Sequence, residues 1–202
     1  MVAWRDPVVF HSKYPTTGSF TLEGSRPGTA AAAVWAAHKS VTLDQSGYGR
    51  LHAASIENSR LVRHKLKAIA DGQPFTITML FADEVQDLNI MSYAFNPGGN
   101  RDPVRANDIN EAIYARLAIE YKGDPRPPVI ITGSKLDPAE FGHGLVRRLR
   151  REMGVKDDGS PLAFLMSTIM NPFLAEGTID RLIAAMRDVV AEECLSVIGS
   201  SP

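Results

Sequence analysis

The sequence predicts an α/β protein in which two helices precede an alternating series of strands and helices. Apolar residues recur with helical spacing over 50–70, 104–121 and 178–195. The segments 75–81 and 89–95 are short and rich in β-branched and aromatic residues, which is typical of strands. These two patterns together predict helices packed on a small sheet.

The elements follow in order along the chain. "VAW" and "PVVF" near the N-terminus are predicted to be short strands, and "HSKYPTTG" is predicted to be a loop because it contains Pro15 and Gly18. The alanines over 30–39 predict a first helix, and "DGQP" closes a second helix over 50–70. Strands are predicted over 75–81, 89–95, 129–133 and 162–170, and helices over 104–121, 138–154 and 178–195.

A change of character near residues 71–74 predicts a domain boundary. Before it lie two helices and short strands, which cannot bury much of a core by themselves. We therefore expect two domains, 1–72 and 73–202, with the first forming part of something larger.

Composition excludes several classes of partner. The 202 residues include 22 Lys and Arg against 23 Asp and Glu, a net charge of −1, so we expect no nucleic-acid or acidic-membrane partner. Cys194 is the single cysteine, which excludes an intrachain disulfide and fits a reducing compartment. The N-terminus lacks the pattern of a secretory signal, and the apolar run 30–37 is far shorter than the roughly 20 residues of a membrane span. We expect a cytoplasmic protein, and no metal site because no His or Cys residues have ligand spacing.

The turn "GSRPG" at 24–28 precedes the alanine helix and suits an anion. Free N–H groups at a helix N-terminus attract negative charge, Ser25 adds a hydroxyl, Arg26 adds a guanidinium and Gly24 allows close approach. The alternative is structural: Ser25 caps the helix and the glycines serve the turn. Local features alone favour this alternative.

Five stretches carry a resemblance to a known family. The first two are "LEGSRPGTAAAAVWAAH" and "SGYGRLHAASIENS", and "DLNIMSYAFNPGGNRDPVRANDINEAIY", "VIITGS" and "STIMNPFL" follow. Together they cover most of the chain. They resemble the region downstream of the active-site lysine in pyridoxal-phosphate-dependent group II amino-acid decarboxylases, most of all the bacterial tyrosine-decarboxylase-like branch.

The resemblance implies a fold-type-I architecture, like that of the aspartate aminotransferases. Residues 1–72 would end the large, cofactor-binding domain, and 73–202 would form the small C-terminal α/β domain. Active sites of this family form at a dimer interface, and the serine matched by Ser25 contacts the cofactor phosphate of the neighbouring subunit. The resemblance thus implies pyridoxal 5'-phosphate as cofactor and Gly24, Ser25 and Arg26 as its contacts. It also implies an L-amino-acid substrate, with an aromatic amino acid such as tyrosine as the candidate.

The family's cofactor-bonding lysine, usually part of a His-Lys pair, lies upstream of a segment like "VAWRD" and so before Met1. Two His-Lys pairs occur here, His38–Lys39 and His64–Lys65, but both lie inside predicted helices, where a solvated helix face is expected. We assign neither as catalytic. The chain alone is therefore expected to be inactive, and its partner is either a second copy or an upstream large-domain segment.

Two further positions bear on the chemistry. Many relatives carry an arginine that binds the substrate carboxylate where this chain has Met166, and a thioether cannot form a bidentate salt bridge. A mobile loop of the family carries a tyrosine that protonates the carbon from which CO2 leaves, and Tyr14 is the candidate catalytic match. His11 in the same loop is a weaker candidate, and an ordinary loop tyrosine is the alternative for Tyr14.

Three hypotheses stay open at this stage. The first is the C-terminal part of an amino-acid decarboxylase, and the second is an inert truncated paralogue that serves as a dimerisation or interaction module. The third is a generic phosphate-binding α/β domain. The basic cluster "RRLRRE" at 147–152 is expected to be a solvated helix end rather than a ligand site.

Overall fold

A computed structural model describes residues 28–81, 88–118 and 129–198. The chain divides into two compact units between Asp44 and Gln45. In the first unit, helix α1 spans Thr29–Ser40, as the alanines predict, and none of its residues is buried. Lys39 lies over the ring of Trp35, with its Nζ 5.9 Å from the ring centroid.

The second unit is an antiparallel four-stranded sheet with helices on both faces, which confirms the predicted α/β class. The strands lie in the order β1-β2-β4-β3. The elements are α2 (Tyr48–Lys67, extended by a 3₁₀ turn at Ala68–Ala70), β1 (Phe75–Met79), β2 (Ile90–Pro97), α3 (Pro103–Leu117), β3 (Thr132–Leu136), α4 (Pro138–Phe141), α5 (His143–Glu152), β4 (Leu162–Thr168) and α6 (Glu176–Ile198).

Alternate residues of β2 and β4 face two separate apolar clusters, as the period of two in a strand requires. One face carries Tyr93 and Leu165, and helices α2, α3 and α6 cover it. The opposite face carries Ala94 and Phe164, and α5 covers it. Helix α3 contributes to both clusters.

Helix α3 reaches both faces because β2 and β4 separate beyond Tyr93 and Leu165, the last residues that they pair. The side chain of Asn110 takes the place of the missing strand: its Oδ1 accepts from the Phe95 N–H at 2.9 Å, and its Nδ2 donates to the Phe95 carbonyl at 2.8 Å. Asn107 does the same for β4, since its Oδ1 accepts from the Ala163 N–H at 2.9 Å. The "NDIN" stretch therefore satisfies the backbone of two separated strands.

The "NPGGN" stretch forms a loop that binds itself. Asn96 donates to the carbonyl of Asn100 at 2.9 Å, and Asn100 donates back to Oδ1 of Asn96 at 2.8 Å. Gly98 donates to the carbonyl of Pro74 at 2.8 Å, and a Cβ at Gly98 would lie 3.2 Å from that oxygen, so the close approach favours glycine. Asp102 then caps α3 through the N–H of Val104.

Two boundaries differ from the sequence prediction. The strand expected over 129–133 lies at Thr132–Leu136 instead, because the N–H of Ile131 donates to the carbonyl of Leu117 rather than to a strand. The helix expected over 138–154 is two helices, because Gly142 between them has a φ of +94°, which no helix residue adopts.

The basic cluster of α5 also differs from expectation at Arg150, which is fully buried. Its guanidinium forms ion pairs with Asp157 and Asp158 and donates to the carbonyl of Ser160 at 2.8 Å. Burial opposes the charge on Asp158, but the Ser160 N–H and Arg150 outweigh it and lower the pKa of Asp158 to about 2. Arg150 thus fixes the loop that leads into β4.

The domain boundary expected near residue 72 stays a prediction. In the structure, α2 lies before this boundary and packs on the sheet through Val62 and Leu66.

Two further expectations concern the single cysteine and the membrane. Cys194 is buried in α6, and burial raises the pKa of its thiol to about 11, which fits a structural residue. Within the described ranges no helix combines the length and the apolarity needed to cross a membrane.

Candidate functional site

The residues predicted to contact a cofactor lie outside the described part of the chain. This holds for Gly24, Ser25 and Arg26, and also for Tyr14 and His11. Their roles stay predictions. The other positions singled out in the sequence are described: His38 and Lys39 belong to the first compact unit, and the remaining ones belong to the second.

The two His-Lys pairs lie on helices, as expected. His38 and Lys39 are exposed on α1, and His64 is exposed on α2. Lys65 departs from the expectation of a solvated face, because its side chain is only 23% exposed and its Nζ lies 2.7 Å from Asp180 and 3.0 Å from Glu176.

These ion pairs make a nucleophilic role for Lys65 unfavourable, because they stabilise its charged form. The hydrogen bond to Asp180, followed by that to Glu176, raises the pKa of its ammonium above the usual value. A lysine that attacks a carbonyl needs the opposite shift, towards the neutral amine. Lys65 instead joins α2 to α6.

Met166 lies on β4 opposite Ser92 on one side and Thr132 on the other. It is half-buried and packs against the apolar cluster of Phe164. The position expected for a carboxylate-binding arginine thus holds an apolar side chain in an apolar surrounding. Met166 itself has no group that pairs with a carboxylate.

An apolar pocket of about 460 Å³ lies at the end of β4, on the face opposite to that of Met166. Its walls come from α2, from residues 129–130, from the segment that follows β4, and from α6. Its lining consists of Val62, Val129, Ile130, Ser167, Thr168, Ile169, Met170, Asn171, Leu174, Ile179, Leu182, Ile183 and Met186. Such a lining suits an apolar or aromatic group.

Polar contacts fix the segment after β4 that forms one wall. Ser55 Oγ and Asn89 Nδ2 both donate to the carbonyl of Ile169, each at 2.9 Å. Asn58 Nδ2 donates to the carbonyl of Asn171 at 3.1 Å. Helix α2, which carries Ser55 and Asn58, therefore positions this wall.

One hydroxyl pair borders the pocket. Ser167 Oγ, which lines it, lies 2.8 Å from the Tyr93 hydroxyl. Burial raises the pKa of Tyr93 to about 12, so its phenol stays protonated at neutral pH. Neither Ser167 nor Tyr93 was singled out in the sequence. The signal that could have found them is the alternation of side chains along two paired strands, which places both residues on one face of the sheet.

The pocket has few chemical groups of its own. Among the described residues that line it, none is Asp, Glu, His or Lys. Across residues 28–81, 88–118 and 129–198, no three His, Cys, Asp or Glu residues come together as a metal site. The described lining of the pocket therefore suits an apolar group.

Three curated proteins with similar sequences are all L-tyrosine decarboxylases. The chain is 37% identical to an L-tyrosine decarboxylase of Enterococcus faecalis over 167 residues, 78% of the chain. It is 28% identical to an L-tyrosine decarboxylase of Enterococcus faecium over 187 residues, 89% of the chain. Over 104 residues it is 36% identical to an L-tyrosine decarboxylase of Levilactobacillus brevis.

These matches cover only part of each relative: 26%, 30% and 16% of its length, respectively. The chain thus spans less than a third of the length of the curated relatives that it matches. No protein-family profile matches the chain. The resemblance seen in the sequence is confirmed by these three matches, over most of this chain.

Proposed function

Since this chain is related over most of its length to part of the L-tyrosine decarboxylases, we propose that it is the C-terminal part of a pyridoxal-phosphate-dependent L-amino-acid decarboxylase. The match of 78% of the chain at 37% identity carries this proposal. The complete enzyme would be a cytoplasmic carboxy-lyase that releases CO2 from an amino acid. An aromatic amino acid such as tyrosine is the proposed substrate.

The proposed roles of the residues follow the family. Ser25, with Gly24 and Arg26, holds the cofactor phosphate of a partner subunit, which makes a homodimer the working assembly. Pyridoxal phosphate, when bound, supplies the electron sink for the electrons left by loss of CO2. Tyr14 delivers a proton to the carbon from which CO2 leaves. A lysine from the large domain holds the cofactor.

The pocket at the end of β4 supports an aromatic substrate. Its apolar walls and volume of about 460 Å³ suit an aromatic side chain, and Ser167 offers a hydroxyl to a polar substituent. Because Met166 cannot pair with a carboxylate, another group must bind the substrate carboxylate in place of the family's arginine. The chain therefore contributes a pocket wall and a phosphate contact, and the large domain contributes the reacting groups.

Two observations favour a second candidate, an inert paralogue that acts as a dimerisation or interaction module. Met166 is half-buried against the apolar cluster of Phe164, so the position matched to the family's carboxylate-binding arginine carries no cation. Helix α1 also fits such a module, because all of its residues are exposed, among them Trp35 at 65%. A large apolar side chain left in water is typical of a surface that another chain covers.

We expect the 202-residue chain to release no CO2 from L-tyrosine when pyridoxal phosphate is added. The lysines of its two His-Lys pairs are Lys39, which is exposed on a helix, and Lys65, which is ion-paired with Asp180. Neither environment favours the neutral amine that forms a covalent bond with the cofactor. The measurement is release of labelled CO2, with the Enterococcus faecalis enzyme as positive control. Turnover that disappears in Lys39→Ala or Lys65→Ala would contradict the assignment of the lysine to the large domain.

A further inference from the structure

A cavity of about 240 Å³ lies between the end of α5 and the loop that precedes α3. Arg101, Arg147, Arg151, Gly154, Val155 and Asp157 line it. We propose that this cavity binds a small phosphate-bearing anion, either inorganic phosphate or a phosphate ester. The inference does not depend on the decarboxylase proposal.

The fold joins two distant segments to make this cavity. The N–H of Lys156 donates to the carbonyl of Arg101 at 2.9 Å, which holds the loop before α3 beside the chain that leaves α5. Asn96 adds a second link, from its Nδ2 to the carbonyl of Met153 at 3.1 Å. The backbone around the cavity is thus fixed before any ligand arrives.

The charge in the cavity is strongly positive. Three arginines and one aspartate line it, and that aspartate, Asp157, accepts a hydrogen bond from Arg147 at 2.9 Å. The hydrogen bond from Arg147 is the main cause that lowers the pKa of Asp157. Arg101 and Arg151 are exposed and form no ion pair within the described residues, and their guanidinium groups are the proposed donors to the ligand.

The usual reason for basic residues at the end of a helix accounts for only part of this cluster. Cations in the last turn offset the negative end of the helix dipole, which explains Arg151 in α5. It does not explain Arg101, which comes from a different element and is held against the same cavity. Arginines that converge from separate segments suit a phosphate group, because each planar guanidinium offers two parallel donors to its oxygens.

The test is isothermal titration calorimetry of the full chain at low ionic strength, with inorganic phosphate and with glycerol 3-phosphate as separate probes. We expect saturable binding of at least one probe, and the tighter of the two identifies the source of the phosphate group. Arg101→Gln and Arg151→Gln should each weaken binding by about fivefold or more. Because both side chains are exposed, the melting temperatures should stay unchanged.

Arg148→Gln is the matched control, since Arg148 is exposed on the same helix and does not line the cavity. It should bind as the unaltered chain does. Arg151→Lys, which keeps the charge and loses the fork, should weaken binding less than Arg151→Gln. Absence of saturable binding by both probes, or equal weakening by Arg148→Gln, would overturn the proposal. Binding at the turn of Ser25 alone would also overturn it, because Arg101→Gln would then have no effect.

Discussion

Replacement of Arg150 by methionine is expected to lower the free energy of unfolding by about 2–3 kcal/mol. Arg150 is fully buried, and its guanidinium binds Asp157, Asp158 and both the carbonyl and the hydroxyl of Ser160. Removal of one partner from a buried ion pair lowers the free energy of unfolding by about 3–5 kcal/mol. The cost here is smaller, because the two carboxylates are 30–33% exposed and water can solvate them once the guanidinium is gone. Urea denaturation of the two chains measures the difference.

The ion pair of Arg150 with Asp158 also predicts that the free energy of unfolding depends on pH. The folded-state pKa of Asp158, about 2, lies below the unfolded value, so its contribution to stability is present above about pH 4 and is lost as pH falls towards 2. Arg150→Met should lose part of this dependence. Arg148→Met, at an exposed position of the same helix, should cost about 0.5 kcal/mol or less. Equal stability losses in the two variants would contradict a structural role for the buried guanidinium.

Replacement of Asn110 by leucine is expected to lower the free energy of unfolding by about 3 kcal/mol. Asn110 is 1% exposed, and its side chain pairs both the N–H and the carbonyl of Phe95. Leucine has a similar size but leaves these two buried backbone groups without partners, at about 1–3 kcal/mol each. Denaturation in urea again gives the value, and the slope should stay the same if the fold is kept.

Asp108→Ala is the control for Asn110, since Asp108 is exposed on the same helix. We expect its effect to stay within about 0.5 kcal/mol. If Asn110→Leu proved no more costly than Asp108→Ala, the account of α3 as the substitute for a missing strand would be wrong.

Periodicity predicted most of the fold because most elements here are long or strongly patterned. The helices over 48–67, 103–117 and 176–198 bury one apolar face each, and that spacing is visible in the sequence. The third strand was misplaced because "VII" looks like a buried strand, whereas Ile131 pairs with the end of α3. A pattern of apolar residues reports burial, and it does not report which backbone group accepts a hydrogen bond.

The buried arginine was missed for a related reason. Within "RRLRRE" nothing in the sequence separates Arg150 from its neighbours, since its acceptors lie 7–11 residues further along in a loop. Charge alone predicted a solvated helix end; the side chains of Arg148 and Arg151 are exposed as predicted, and that of Arg150 is buried. Its burial depends on the tertiary path of residues 157–161.

The motifs that indicated the family have structural roles in this unit. Asn107 and Asn110 of "NDIN" serve the backbone of two strands, and Asn96 and Asn100 of "NPGGN" fix a loop. These stretches therefore show relatedness and carry no information on activity. The proposed activity depends on Ser25 and on the large domain.

A chimaera tests the central claim most directly. In it, the matched part of the Enterococcus faecalis L-tyrosine decarboxylase is replaced by this chain, and CO2 release from L-tyrosine is measured with pyridoxal phosphate present. The account predicts turnover, with cofactor affinity about tenfold weaker in Ser25→Ala, because a hydrogen bond to a charged phosphate is lost. A chimaera that folds, dimerises and binds the cofactor, yet releases no CO2 from tyrosine or other aromatic amino acids, would contradict the account and favour the inert module.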